Sequence, residues 1–401
     1  MDLTSGVPYW LVKSGLPATY PKLDQDRRCD LAIIGGGITG ALVGHRFAME
    51  GIHTVLLEGR EMGYGSTGAS TSLLQYELDT HLADLAERIG TSAAQRCYRL
   101  CADAIGGIER LAGEVGGDSD FCLKRSLYLA TARRDMKVLE RERQARCDMG
   151  LDVELLSPSD IRERFAFERP AALLSRLGGE VDPLRFTHAL LAAAAREGLE
   201  AYDRTGVSRY QSDRKGVLLE TADGWRVRAR KAVFATGYNI PPFVPRRPIR
   251  LTSTFAFATS PLTTFEGWGE ELCLIWETAR PYFYARTTRD GRAILGGADQ
   301  PFKGAHKLER MQDRQTERLA RQFAELFPKI PFDVDWSWSG TFAETSDGLP
   351  FIGVPPEFPN GYVALAYGAN GIPFGYVAAD ILVDLFLGRG SADAELFRIG
   401  R

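Results

Sequence analysis

The stretch "CDLAIIGGGITGALVGHRFAMEGIHTVLLE", Cys29 to Glu58, decides the fold. Asp30 to Gly35 reads as a buried strand, Ile38 to Glu50 as a helix and His53 to Glu58 as a second strand. Gly51 is placed to end the helix. The three form one βαβ unit. Within it Gly35, Gly37 and Gly40 fit G-x-G-x-x-G, and Glu58 follows Gly37 by 21 residues. Gly35 permits the tight turn, Gly37 lets a pyrophosphate approach the backbone, and Gly40 lets helix and strand lie close. The helix start offers unpaired N–H groups and the positive dipole end to the diphosphate. Glu58 is placed to accept a hydrogen bond from a ribose hydroxyl, which disfavours a 2′-phosphate and hence NADP. This unit alone does not separate NAD from FAD.

A second glycine-rich turn lies more than 300 residues on, in "ALAYGANGIPFGYVAADILVDLF", Ala364 to Phe386. Gly368 and Gly371 open an apolar helix with Pro373 in its first turn, where the missing N–H costs little. Between the two turns, "VFATGYN" (Val233–Asn239) reads as a buried strand running into Thr236-Gly237. Hairpins are signalled at Asp223-Gly224 and Asp290-Gly291. Asp182-Pro183 starts a helix, with Asp182 as N-cap. His81 to Leu111 is helical with a kink expected at Gly106-Gly107, and the charge run before Gly150 is a helix with a solvated face.

The 401 residues exceed what one core usually serves, so two domains are expected. Hydrophobic residues make up 44% and charged residues 25%, as in ordinary globular proteins. A net charge of −3 argues against a nucleic-acid partner. No apolar run is long enough for a membrane span, and "MDLTSGVPYWLVKSG" does not read as a signal peptide. Six cysteines without a C-x-x-C pair predict free thiols in a reducing cytoplasm. Cys97 and Cys101 share a helix face, but no third ligand stands near in sequence, so packing is expected rather than metal.

With "WSGTFAETSDGLPFIG" (Trp338–Gly353), the loop Ser66–Ser72 and "YWL" (Tyr9–Leu11), these motifs resemble the FAD-dependent amine and amino-acid oxidoreductase family. This is the group of D-amino-acid oxidase, glycine oxidase and monomeric sarcosine oxidase, and the style is nearest to gamma-glutamylputrescine oxidase-like members. The resemblance covers nearly the whole chain. It implies an α/β Rossmann-type FAD domain (1–80, 150–245 and 335–401) interwoven with an α+β substrate domain on a mostly antiparallel sheet (81–149 and 246–334). It also implies an extended FAD, which explains the two turns. Adenosine and diphosphate lie on Gly35, Gly37, Ile38, Thr39 and Gly40, with Glu58, Gly59, Arg60 and Val207 beside them. Ser66, Thr67, Ala69, Ser70, Thr71 and Ser72 follow the cofactor, as do Thr236, Gly237 and Tyr238. The flavin ring reaches Gly340, Asp347, Gly368, Ala369, Asn370, Gly371 and Ile372, where a helix N-terminus stabilises the charge of reduced flavin.

The chain departs from sarcosine oxidase in three ways. "SWSGTFAE" has no cysteine to attach FAD, so the cofactor is expected to be non-covalent. The two carboxylate-gripping positions read as Gln75 and as the turn Ala369, Asn370 and Pro373. The lysine that speeds reaction with oxygen falls at Leu295. An amine, or an amino acid gripped elsewhere, is therefore the expected substrate, with oxygen or another electron acceptor. In "PYFYAR" strand alternation puts Tyr282, Tyr284 and Arg286 on one face. The tyrosines wall a pocket and Arg286 meets a distal carboxylate, or makes an interdomain salt bridge instead. Trp276 and Glu277 are further candidates, with Gln75 and Tyr76 bordering the site. The expected reaction takes a hydride from a neutral amine to flavin N5 and leaves an imine to hydrolyse, so no histidine base is needed. A hydroxy-acid dehydrogenase and a non-catalytic FAD-carrying subunit remain alternatives on the same fold.

Overall fold

The computed structural model describes residues 3–245, 249–365 and 367–401. The expected start of the substrate domain, at 246, lies outside the described residues. Two sheets organise the chain. The first is ordered Phe351–Gly353, Gly361–Leu365, Arg226–Phe234, Arg27–Ile34, Thr54–Leu57 and Glu200–Tyr202, with the hairpin Val207–Asp213 and Gly216–Thr221 on its flank. Its central pairings are parallel. Thr54–Leu57 and Gly361–Leu365 are buried along their whole length, as strands covered on both faces must be.

The second sheet runs Thr4–Gly6, Val334–Glu344, Arg250–Thr259, Ala293–Pro301, Phe283–Thr287, Leu274–Glu277, Cys122–Leu129, Ala172–Glu180 and Leu73–Leu74, with Val153–Leu156 also on Ala172–Glu180. Its pairings are antiparallel except Leu274–Glu277 beside Cys122–Leu129. Several of these strands fall in segments expected in the FAD domain: Thr4–Gly6, Leu73–Leu74, Val153–Leu156, Ala172–Glu180 and most of Val334–Glu344. Conversely, Tyr98 and Ile105 join the core that holds Phe47 and Phe374. The two units share the chain more finely than the expected boundaries allow.

Two local expectations change. The helix Thr91–Val115 runs unbroken through Gly106-Gly107, and the break from Leu82–Ile89 comes at Gly90, whose φ is 89°. Gly107 instead lets the helix Gly371–Phe386 pack close. A Cβ there would stand 2.5 Å from the Tyr376 ring. In the helix Met136–Asp148 the charge run is not wholly solvated, because Glu142 and Arg146 are 1% and 0% exposed. Asp182 caps Pro183–Arg196 as expected, accepting from the N–H groups of Leu184 and Arg185 at 3.1 and 3.0 Å. Cys97 and Cys101 are buried free thiols, and no metal-binding cluster occurs among the described residues.

Candidate functional site

The first glycine turn is built by close contact. Gly35 has φ 112°, and a Cβ on it would overlap the Ala235 carbonyl oxygen. Glu58 accepts from Gly36 N at 2.7 Å and from Arg60 N at 2.9 Å, so its carboxylate fixes the turn. A Cβ on Gly59 would stand 3.5 Å from Gly206 Cα, so the backbones next to Arg60 and Val207 pass close to each other. Thr39 is drawn into helix packing, since a Cβ on Gly375 would lie 3.4 Å from its Oγ1.

The helix Ser66–Ala69 joins this turn to a deep cavity. Thr67 Oγ1 accepts from Ile38 N at 2.9 Å, while Ser66 lines the cavity and its Oγ lies beside Gly237. The cavity holds ≈ 1120 Å³ of empty space, part of it open to solvent. Ser66, Ala69, Ser70, Thr71 and Ser72 form one wall. Tyr238, Gly340, Gly368, Ala369 and Asn370 form a second, and Gln75, Trp276, Tyr282 and Tyr284 a third. Gly371 and Ile372 start the helix behind and do not line it.

The Ser66–Ser72 loop is held by three donors. Trp10 Nε1 donates to Ser70 O at 2.6 Å and Trp338 Nε1 to Ala69 O at 2.8 Å. Arg286 Nη1 donates to Ser72 O at 2.8 Å and to Val181 O at 3.1 Å. Ser72 has φ 61°, a conformation that costs energy in a non-glycine residue and persists where the surroundings impose it. The N-terminal "YWL" thus serves as a clamp on this loop.

Some expected site residues lie elsewhere. Arg286 is 1% exposed and does not line the cavity. Its face of the strand is the expected one, but backbone carbonyls and Glu180, at 3.4 Å, take up the guanidinium. Asp347 pairs with Arg401 at 2.7 Å and shapes its own turn through Thr345 and Leu349, away from the cavity. Glu277 points to the opposite face from Trp276, and burial raises its carboxyl above the usual range. Tyr76 is buried with its hydroxyl on Ser175 Oγ at 3.0 Å. Leu295 is a core residue. Trp276 stacks on Tyr128 at 3.7 Å, and its Nε1 shares Ser126 Oγ with Gln75 Nε2, each at 3.1 Å.

The sequence reading passed over Asp79, Asp299 and Thr254, which also line the cavity. Asp79 Oδ2 accepts from Ala369 N at 3.2 Å, and Tyr282 OH stands 3.5 Å from Oδ1. Asn370 Nδ2 donates to the carbonyls of Gln75 and Glu77, both at 2.9 Å, tying the C-terminal turn to the segment that carries Asp79. Below that segment Arg146 pairs with Glu142 at 2.9 Å and Glu77 at 3.4 Å, all fully buried. Burial pushes Glu77 up, with Arg146 opposing it. Burial also acts to raise Glu142, yet Arg146 and the N–H groups of Leu82 and Ala83 hold it below the usual carboxylate range. Those N–H groups open the helix Leu82–Ile89, so Glu142 caps it from a distance.

The residues present fit an FAD. The glycine turn, the Ser66–Ala69 bridge and the cavity form one continuous path. At its inner end Ser72 lines the cavity, and its buried Oγ has no partner within the protein. Such an orphaned hydroxyl suits a ring rimmed with donors and acceptors. Replacing Arg286 with Met is expected to cost about 1.5–3 kcal/mol by leaving carbonyls and Glu180 unserved. Arg286→Lys should recover little of it, because one ammonium cannot reproduce the fork. Urea unfolding followed by near-UV dichroism checks both.

Comparison with known proteins agrees with this geometry. A family model described as FAD dependent oxidoreductase (DAO) matches residues 30–385. Glycine oxidase of Geobacillus kaustophilus is 27% identical over 385 residues, spanning 89% of this chain and 93% of that protein. Gamma-glutamylputrescine oxidoreductase of Escherichia coli is 23% identical, spanning 97% and 90%. The crystal structure of the Geobacillus glycine oxidase superposes with a TM-score of 0.78 at 22% identity, over 94% of this chain and 99% of that one. L-proline dehydrogenase from P. horikoshii gives 0.75 at 18% identity, over 93% and 97%. A glycine turn, a clamped loop and a second turn that suit the two ends of one cofactor are thus matched by a family model over most of the chain, which belongs to the DAO family of FAD-dependent oxidoreductases and takes FAD as its cofactor.

Proposed function

We propose that the protein oxidises the C–N bond of an amine or amino acid with a non-covalently held FAD. The observation that carries this reading is the cavity itself. It joins the Gly368–Asn370 turn and the Ser66–Ser72 loop to a wall of Trp276, Tyr282 and Tyr284. When bound, FAD supplies the two-electron acceptor. The aromatic side chains orient the substrate and exclude water. No histidine or cysteine lines the cavity among the described residues, which supports a non-covalent cofactor and a reaction without a histidine base. The free cysteines favour a reducing compartment, so we place the protein in the cytoplasm; no helix among the described residues is long and apolar enough to cross a membrane.

The test is the absorption spectrum of purified protein before and after acid precipitation. Yellow protein whose flavin all passes to the supernatant is expected. Flavin retained in the pellet would show covalent attachment. Anaerobic mixing with an amine panel should then bleach the flavin and release the nitrogen or carbonyl product of imine hydrolysis. Bleaching by hydroxy acids alone would replace this reading with the dehydrogenase one. Recovery of the colour on admitting air assigns oxygen as acceptor, and a colour that stays bleached assigns another.

A further inference from the structure

The charge lining the cavity runs one way. Asp79 and Asp299 face it, together with Glu77, whose charge is met by buried Arg146. No lysine, arginine or histidine lines it among the described residues. Glu344 stands close behind and raises no ion pair of its own; its hydroxyl neighbour is Thr252, at 3.4 Å. Neither Asp79, Asp299 nor Glu344 has a cation within salt-bridge distance among the described residues, although most other buried carboxylates here do. Arg280 is the guanidinium nearest in charge to this group. It is exposed and lies over the Tyr282 ring, 3.2 Å from the centroid, so it sits against the wall rather than on the carboxylates.

Two further features point to a ligand. Asp299 Oδ1 is shielded from solvent and has no partner within the protein. The backbone aims Asp299 inward. Gly297 and Ala298 have φ of 134° and 55°, and the register with Arg250–Thr259 shifts between Ser253 and Phe255. A bulge of this kind re-aims one side chain at a site. Burial raises Asp299 to about 6, the Thr254 hydroxyl opposing and Asp79 adding to it, and burial with Asp79 and Asp299 raises Glu344 to about 6. The fold therefore holds unpaired carboxylates together at a cost, and a cation would relieve it.

We propose that Asp79 and Asp299, backed by Glu344, bind a second cationic group on the substrate, so that the preferred substrates are diamines or amines with another basic nitrogen. This rests on the amine-oxidation reading above. One nitrogen must be neutral to react, and the other keeps its charge and needs a counter-ion. Tyr282 and Tyr284 add π faces that suit the same cation. A substrate carboxylate at this place would meet like charge from Asp79 and Asp299, which Arg280 opposes from the wall without an ion pair to either.

The test compares three compounds of matched length on the holoenzyme: diaminobutane, pentylamine and aminopentanoate. The diamine is expected to exceed pentylamine by roughly tenfold or more in kcat/KM for anaerobic flavin reduction, with aminopentanoate lowest. In Asp299→Asn that ratio should fall toward one. A second readout does not use turnover. Diaminobutane should raise the Tm of the wild type and raise that of Asp299→Asn much less. Asp299→Asn also removes an unpaired carboxylate. A carboxyl raised in the fold takes stability away as pH rises from the unfolded value of about 4 toward 6. The variant should therefore melt higher than wild type at pH 8 and gain little at pH 4, which shows that it folds. Equal or better use of pentylamine or aminopentanoate overturns the proposal, as does a preference untouched by Asp299→Asn. Flavin that no amine bleaches, with no Tm shift from the diamine, overturns both this proposal and the amine reading. A Tm shift lost in the variant without bleaching overturns only the amine reading.

Discussion

Replacing Arg146 with Met should destabilise the protein by about 3–5 kcal/mol, among the largest effects of any single side chain. Arg146 is fully buried and is the cation that both Glu77 and Glu142 face. Its loss strands two carboxylates away from water, and the methionine fills the volume without meeting either charge. The damage should pass upward. Glu142 would no longer be held at the N–H groups of Leu82 and Ala83, and Glu77 lies within the cavity-lining segment from Gln75 to Asp79. Urea unfolding should show a lower midpoint with an unchanged slope. A double change, Arg146→Met with Glu142→Gln, should cost less than the sum of the singles, because each removes part of the same imbalance. Additive losses would mean that the three groups do not act as one unit.

The second large effect is expected at Gly40. A Cβ there would overlap the carbonyl oxygen of Gly35, with Ile33 behind it. Neither partner is the flexible end of a side chain, so Gly40→Ala must push the helix Ile38–Met49 off the strand Arg27–Ile34. Overpacking of this kind costs about 1–3 kcal/mol. The cofactor should suffer more than the fold, since the displaced element is the helix start expected to receive the diphosphate. Purified Gly40→Ala is expected to carry less than about a tenth of the wild-type flavin, a drop of more than 1.4 kcal/mol in binding. Gly113→Ala is a control, because a Cβ there meets nothing within 4 Å. Full flavin content in Gly40→Ala would show that helix and strand can separate without harm to the turn.

The first glycine turn was legible because its signals are local. Strand, turn, helix and acid lie within thirty residues, and each glycine has its own steric reason. The antiparallel second sheet was legible in kind, from the Asp290-Gly291 hairpin and the apolar runs around it. Its membership was not, because pairings such as Thr4–Gly6 with Val334–Glu344 join segments with no shared sequence signal. At the site, alternation placed Tyr284 and Arg286 on one side, yet could not say that carbonyls of a distant loop would occupy the guanidinium. Asp79 and Asp299 were missed for a related reason. Each is an ordinary acid in its own stretch, and their charge matters only once a loop and a bulged strand bring them to one cavity. The charge run of Met136–Asp148 misled in the opposite sense. Charged residues were read as solvated, whereas a complementary set lay buried beneath another helix.

The clamps on the Ser66–Ser72 loop have a consequence for synthesis. Trp10 leaves the ribosome early, Arg286 late and Trp338 later still, and all three must be in place before the loop is fixed. The βαβ unit at Cys29–Glu58 emerges early, but its turn closes on Ala235 and its second strand on Glu200–Tyr202, which follow much later. Both ends of the path thus wait on distant segments, and contacts this far apart in sequence are slow to close. The glycine turn has its last partner once Arg226–Phe234 is made, whereas the loop still lacks Arg286 and Trp338 at that point, so the loop is the last part of the path to be fixed.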